Sequence, residues 1–264
     1  MKTTGLSIVM SLCVLLSCKQ NTSEKKTAAN KENIESVENV KPDFEITPIL
    51  HATAVFKIDE TVFYIDPVGS DLTFDKQPSA DIILITDIHG DHFNLKTLET
   101  VSQSTSKIIV PQAVADQIQD ETLPEQLIIL NNEESITLNG FTIEGIAMYN
   151  KGDQDKVRHT KGRGNGYIIQ KDDFRVYFSG DTENIPEMQN LSDIDKAFVC
   201  MNLPYTMSVE EAAEAVLAFQ PQQVYPYHYR GKGGLADVEE FKALVNSQNT
   251  SIEVVQLNWY PVID

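Results

Sequence analysis

Asp87, His89, Asp91 and His92 fall within six residues of one another, in the stretch TDIHGDHF. Carboxylates and imidazoles are the side chains that hold divalent metals and exchange protons near neutral pH. The apolar run DIILITD leads into the cluster and predicts a strand buried on both faces. Along such a strand the two-residue period places Asp87 and His89 on one side, and a turn at Gly90 brings Asp91 and His92 round to join them. Asp-Gly and Gly-Asp pairs are ordinary turn chemistry, and a lone His is usually a core or surface residue. Four such groups converging in six residues point instead to a metal site.

The elements that must position this cluster follow from the pattern of apolar residues. From Phe44, short β-rich runs FEITPIL, ATAVFKI and TVFYIDPV alternate with polar turns and predict an antiparallel meander. DIILITD follows, then a helix over residues 94 to 102. A second half is read as starting with KIIVP, a helix around 112 to 119 and QLIIL. It continues through the strands SITL, FTIEGIAMY, GYIIQ and RVYFSGD. Near the end strand and helix alternate: DKAFVCM, a helix opened by a Ser208/Glu211 capping box, QVYPYHY, a helix near 236 to 246, and IEVVQL. Two β-rich halves that each acquire helices predict an α/β (α+β) fold with two sheets face to face and helices outside.

Composition bounds the function. The chain has 264 residues, 41% hydrophobic and 23% charged, the balance of a water-soluble globular enzyme. Its 21 Lys and Arg against 39 Asp and Glu give a formal charge of −18, a field that repels a phosphate backbone. No nucleic-acid partner is expected, and a small-molecule substrate is. No serine sits in a G-x-S-x-G elbow, so a Ser-His-Asp mechanism has no support.

The N-terminus reads as an export signal: Lys2 precedes the apolar run GLSIVMSLCVLLSC, which is too short for a spanning helix. Leu15-Leu16-Ser17-Cys18 resembles the lipobox of bacterial lipoproteins, which implies cleavage before Cys18, lipidation of its thiol and anchoring of an exported lipoprotein to a membrane. An ordinary signal peptide with an incidental Cys is the alternative. Residues 1–18 are thus the signal. Residues 19–42, rich in Lys, Glu, Asn, Ser and Thr, form a flexible tether, and 43–264 form the folded domain. Cys200, in the apolar stretch KAFVCMNL, is expected in the core.

The stretch Asp87-Ile88-His89-Gly90-Asp91-His92 resembles the H-x-H-x-D-H signature of the metallo-β-lactamase-fold hydrolases, with Asp87 standing where that family usually has His. Further segments occur in the family's order: LHATAVF with His51, FYIDPV with Asp66, AMYN with Tyr149 and Asn150, RHTKGRGNGY with His159, VYFSGDT with Asp181 and VYPYHYRG with His228. Within the superfamily the chain looks most like the L-ascorbate-6-phosphate lactonase branch. The resemblance implies a four-layer αββα sandwich and two divalent metals, zinc first, with manganese or iron as alternatives. One metal would be held by Asp87, His89 and His159, the other by Asp91, His92 and His228, with Asp181 bridging.

The resemblance further implies that Asp91 and Asp181 serve catalysis and that a hydroxide between the metals attacks a small ester, lactone or phosphodiester. Asp66 would orient a ligating His by accepting its far ring proton. His51, Asn150 and Arg230 are expected beside the metals or facing substrate, as are Tyr149, Tyr205, Tyr227 and Tyr229, for which core packing is an equal reading. Lys161, Arg163 and Arg230 could hold a small anion. The carboxylate of Asp87 would add negative charge and favour harder metals. Two rival classes remain at this level: a non-catalytic metal-binding lipoprotein, and a di-iron redox enzyme, which would carry Glu at the position of His89.

Overall fold

The chain folds as two β-sheets packed face to face. The computed structural model describes residues 41–118, 123 and 125–261, so the expected export signal, the expected lipidation site Cys18 and nearly all of the expected tether lie outside the described residues. The first sheet has the order β1 (Phe44–Leu50), β2 (Thr53–Ile58), β3 (Thr61–Ile65), β4 (Ile82–Leu84), β5 (Lys107–Val110), β6 (Leu127–Ile129). Its opening meander is antiparallel, and from β3 onward neighbours run parallel.

The second sheet contains β7 (Ser135–Leu138), β8 (Phe141–Met148), β9 (Gly164–Lys171), β10 (Phe174–Phe178), β11 (Lys196–Cys200) and β12 (Gln223–Tyr227). A two-stranded ribbon of β13 (Arg230–Gly231) and β14 (Gly234–Leu235) follows, and β15 (Glu253–Val254) closes the second sheet beside β12. Strands β7 to β10 are antiparallel, whereas β10, β11, β12 and β15 run parallel. KIIVP and QLIIL therefore belong to the first sheet, and the halves divide after β6 rather than before β5. β5 is buried on both faces and carries no alternation that would reveal its sheet, and β6 is an edge strand too short to show one.

Side-chain alternation sorts the layers. Phe56, Phe63, Ile65, Leu84 and Ile109 point between the sheets, where Phe56 meets Phe178 at 5.1 Å and Phe63 meets Phe141 edge-on at 5.0 Å between ring centroids. Their neighbours Val55, Tyr64, Ile83 and Ile108 form a separate cluster with Leu98 and Val101 of α1 (Leu95–Val101) and Val114 of α2 (Gln112–Ala115). On the far side, Tyr177 of β10 packs against Phe219 of α3 (Val209–Phe219), which in turn contacts α4 (Val238–Gln248). This is the four-layer αββα sandwich. The predicted capping box is present, with Glu211 N–H donating to Ser208 Oγ and Ser208 N–H to Glu211 Oε2. Two glutamates in the first turn also complement the helix dipole.

The topology aims several strand ends at one rim. Asp66 follows β3, Asp87 to His92 follow β4, Asp181 follows β10, and His228 follows β12. The carboxyl ends of parallel strands are where α/β sheets place ligands. His159 arrives from the loop between β8 and β9, and His51 from the turn between β1 and β2. Among the described residues no helix is long and apolar enough to cross a membrane.

Candidate metal centre

Asp181 is the hub. Its carboxylate is buried, and it faces three imidazoles: His92 Nε2 at 3.3 Å and His159 Nε2 at 3.2 Å from Oδ2, and His228 Nε2 at 3.1 Å from Oδ1. Gly180 delivers it with φ of +60°, a conformation glycine adopts without strain. Burial works against the charge of Asp181, but His228, His92 and His159 outweigh it and hold the carboxyl well below its usual range.

His92 is fully buried between two carboxylates. Its Nδ1 lies 2.8 Å from Asp66 Oδ2, while Nε2 points to Asp181. Asp66 also accepts from Thr86 N–H (2.7 Å) and Thr86 Oγ1 (2.7 Å). Burial opposes a proton on His92, and Asp181 and Asp66 outweigh it, raising the ring's proton affinity well above the ordinary value.

Among the described residues, three groups of side chains could each hold a cation: Asp87, His89 and His159; His92, Asp181 and His228; and His51, Asp91 and His228. The first is the half-site expected from the sequence. The second and third together take in the other expected half-site, with His51 an addition: its Nε2 is 3.4 Å from Asp91 Oδ2 and its ring centroid 3.9 Å from that of His228. His51, Asp66 and His228 all adopt positive φ (60°, 45° and 48°), backbone strain of the kind that folds retain at functional sites.

The donor set fits divalent metal. Nδ1 of His89, both ring nitrogens of His159 and Oδ1 of Asp181 are buried without hydrogen-bond partners, although ligand-type atoms surround them at close range. His92 Nε2 and His228 Nε2 face each other at 3.1 Å. Imidazole nitrogens and carboxylate oxygens converging in this way suit zinc, iron or manganese.

The remaining predicted residues divide. Asn150 is nearly buried and accepts from His159 N–H (2.9 Å) while donating to Glu183 and to Tyr205 O, so it fixes the His159 loop. Tyr149 donates to Glu187 (3.0 Å). Tyr227 is in the core, where its hydroxyl accepts from Gly180 N–H. Tyr205 lies under the Arg158 guanidinium, and Tyr229 packs edge-on against Tyr260. Lys161 is paired with Glu187 (2.5 Å) and Arg163 with Asp87 (3.0 Å), so neither is a free anion holder. Arg230 is exposed, with its guanidinium 4.1 Å over the Tyr260 ring and no ion-pair partner among the described residues. Cys200 is buried, and burial pushes its thiol up to about 11, as befits an inert core residue.

Sequence reasoning missed three contributors. Thr86 stands directly before the motif, and its hydroxyl beside a buried Asp was a usable signal. Tyr260 contacts His51 Nδ1 at 2.8 Å across 209 positions and accepts from Arg230 N–H. Asn202 Nδ2 lies 3.4 Å from His228 Nδ1. Neither of these last two carries a local signature.

Comparison with known proteins agrees with this geometry. Residues 45–228 match the model of the β-lactamase superfamily domain. The chain belongs to the metallo-β-lactamase superfamily. It is 31% identical over 173 residues to a UPF0173 metal-dependent hydrolase of Pyrococcus horikoshii, covering 64% of this chain and 75% of that one. A metal-dependent hydrolase from Parabacteroides distasonis has a similar structure, with a TM-score of 0.72 and 35% identity, covering 82% of this chain and 94% of the other. A metallo hydrolase from Ignicoccus hospitalis gives 0.68 and 25%, covering 80% and 94%. These likenesses place the chain among the metal-dependent hydrolases.

Proposed function

We propose that this metallo-β-lactamase-fold protein hydrolyses a small ester, lactone or phosphodiester, using two divalent cations. Asp87, His89 and His159 would hold one cation, His92, His228 and Asp91 the other, with Asp181 between them. The carrying observation is the Asp181 carboxylate ringed by three imidazole nitrogens at 3.1–3.3 Å. Cations bound there supply Lewis acidity and activate water near neutral pH.

The chain's own residues supply the rest. Asp66 keeps the His92 proton on Nδ1, leaving Nε2 free to face the cluster. Asp91 and His51 are partly exposed and form the open side of the site, with Asp91 Oδ2 3.4 Å from His51 Nε2. Burial lowers the proton affinity of His51, so the ring is neutral near pH 7. Arg230, stacked on Tyr260, is the cation available to an anionic substrate group. The likeness of the motif segments to the lactonase branch favours a lactone.

The test is elemental analysis of protein purified without added metal, followed by lactone, ester and phosphodiester panels. Close to two metal equivalents and turnover on one panel are expected. Bound metal with no turnover on any panel would favour a metal-binding protein instead, and metal-free protein that takes up none would reject the site.

The proposal extends to location. Leu15-Leu16-Ser17-Cys18 supports an exported lipoprotein anchored to a membrane through Cys18. Expressed in a bacterium fed radiolabelled palmitate, the chain should carry label and sediment with membranes, and Cys18→Ala should do neither. Equal labelling of both would refute the anchor.

A further inference from the structure

Asp87 stands where the family's signature has a neutral imidazole, and it is entirely buried. A lone carboxylate there would bring an extra negative charge into the site. It is not alone. Arg163 Nε donates to Asp87 Oδ1 at 3.1 Å and Nη2 to Oδ2 at 3.0 Å, the two-pronged match of a planar guanidinium to a carboxylate. The third arm, Nη1, donates to Arg158 O at 2.7 Å, next to His159. One side chain thus ties the β4 motif to the loop carrying another member of the same cluster.

The backbone is shaped to bring this about. Asn165 N–H donates to Thr86 O at 2.9 Å, laying the start of β9 along Thr86 and Asp87. A Cβ on Gly164 would lie 2.7 Å from Thr86 O and 3.3 Å from Asp87 Oδ1, so only glycine permits the approach. Oδ2, which accepts from Arg163, also faces His89 Nδ1 at 2.5 Å and His159 Nε2 at 4.0 Å.

We propose that Arg163 is the resident charge partner of Asp87, and that the Asp87–Arg163 pair replaces the neutral imidazole of the family's signature. The carboxylate adds one negative charge and the guanidinium one positive, so the pair is neutral overall, as a single imidazole at position 87 would be. Substituting Asp87 by His alone would not recreate that version: it would strand a largely buried guanidinium against an imidazole, with its main acceptor gone. Arg163 is therefore a positioning residue for the first half-site.

A double-mutant cycle tests this with Asp87→His, Arg163→Met and the double variant. Two readouts are used: the thermal midpoint of metal-free protein, and zinc affinity by chelator competition. The zinc readout rests on the hydrolase reading and the midpoint does not. Each single substitution is expected to lower the midpoint by several degrees and to weaken one zinc equivalent by about 10–100-fold, the usual effect of losing a partner of a ligand. The double variant should recover both relative to either single. Additive losses in the double variant would overturn the pairing. Should Asp87→His fail to fold, Asp87→Asn completes the same cycle. If wild-type protein takes up no zinc, the hydrolase reading fails, while the metal-free midpoints still decide the pairing.

Discussion

Asp181→Asn should strip at least half of the bound metal and lower hydrolysis about a thousandfold, a loss of ~4 kcal/mol in transition-state stabilisation. Three imidazole nitrogens within 3.3 Å depend on this carboxylate, and an amide offers one oxygen and no charge in its place. Elemental analysis alongside kcat/KM checks the prediction, and full metal content with full activity would remove Asp181 from the centre.

The same substitution has a signature in metal-free protein, and its sign follows from linkage. The proton affinity of His92 is raised above its ordinary value of 6.5 by Asp181 and Asp66, against burial, so the stability it contributes is fully present below about pH 6.5 and is lost as pH rises through the folded value. The carboxyl of Asp181 is depressed below 3.8, and its contribution is lost only as pH falls through the acid range. The metal-free wild type should therefore unfold at lower temperature as pH rises above 6.5. Asp181→Asn should flatten that slope, because one of the two carboxylates that raise His92 is gone.

The site was legible in the sequence to the extent that it is local. Asp87, His89, Asp91 and His92 declared themselves because a buried strand of three residues, Ile82 to Leu84, ends just before them. His159, Asp181 and His228 came only through family resemblance, since each is a single residue after an unremarkable strand or loop. The pair of Asp87 and Arg163, 76 positions apart, left no trace: Arg163 sits in a Gly-rich loop that reads equally well as an anion cradle. Nor could periodicity assign β5 and β6 to the first sheet, because burial on both faces erases alternation in β5 and β6 is an edge strand of three residues, too short to show a period. The close of the chain was overread, with IEVVQL yielding only Glu253–Val254 as strand.

Asp66 lies against the His92 ring, and the structure explains why a small change there should have a large effect. Asp66→Asn should weaken metal binding by about 10–100-fold, and should lower the stability of metal-free protein by about 3–5 kcal/mol, the range for breaking one partner out of a buried charged pair. The Asp66 carboxylate accepts three hydrogen bonds inside the fold: from Thr86 N–H, from Thr86 Oγ1 and from the His92 ring. An asparagine has one acceptor oxygen and an NH2 group. If the oxygen keeps Thr86 N–H, the NH2 meets His92 Nδ1 and forces its proton to Nε2, where it blocks the face turned to Asp181. If the oxygen keeps His92, the NH2 opposes Thr86 N–H, two donors in a buried site. Either orientation costs stability, and the first also costs metal. Chemical denaturation of metal-free protein and zinc titration separate these losses, and the nitrogen shifts of the His92 ring report which tautomer results. A variant with wild-type stability and zinc affinity would show that Asp66 does not set the His92 tautomer.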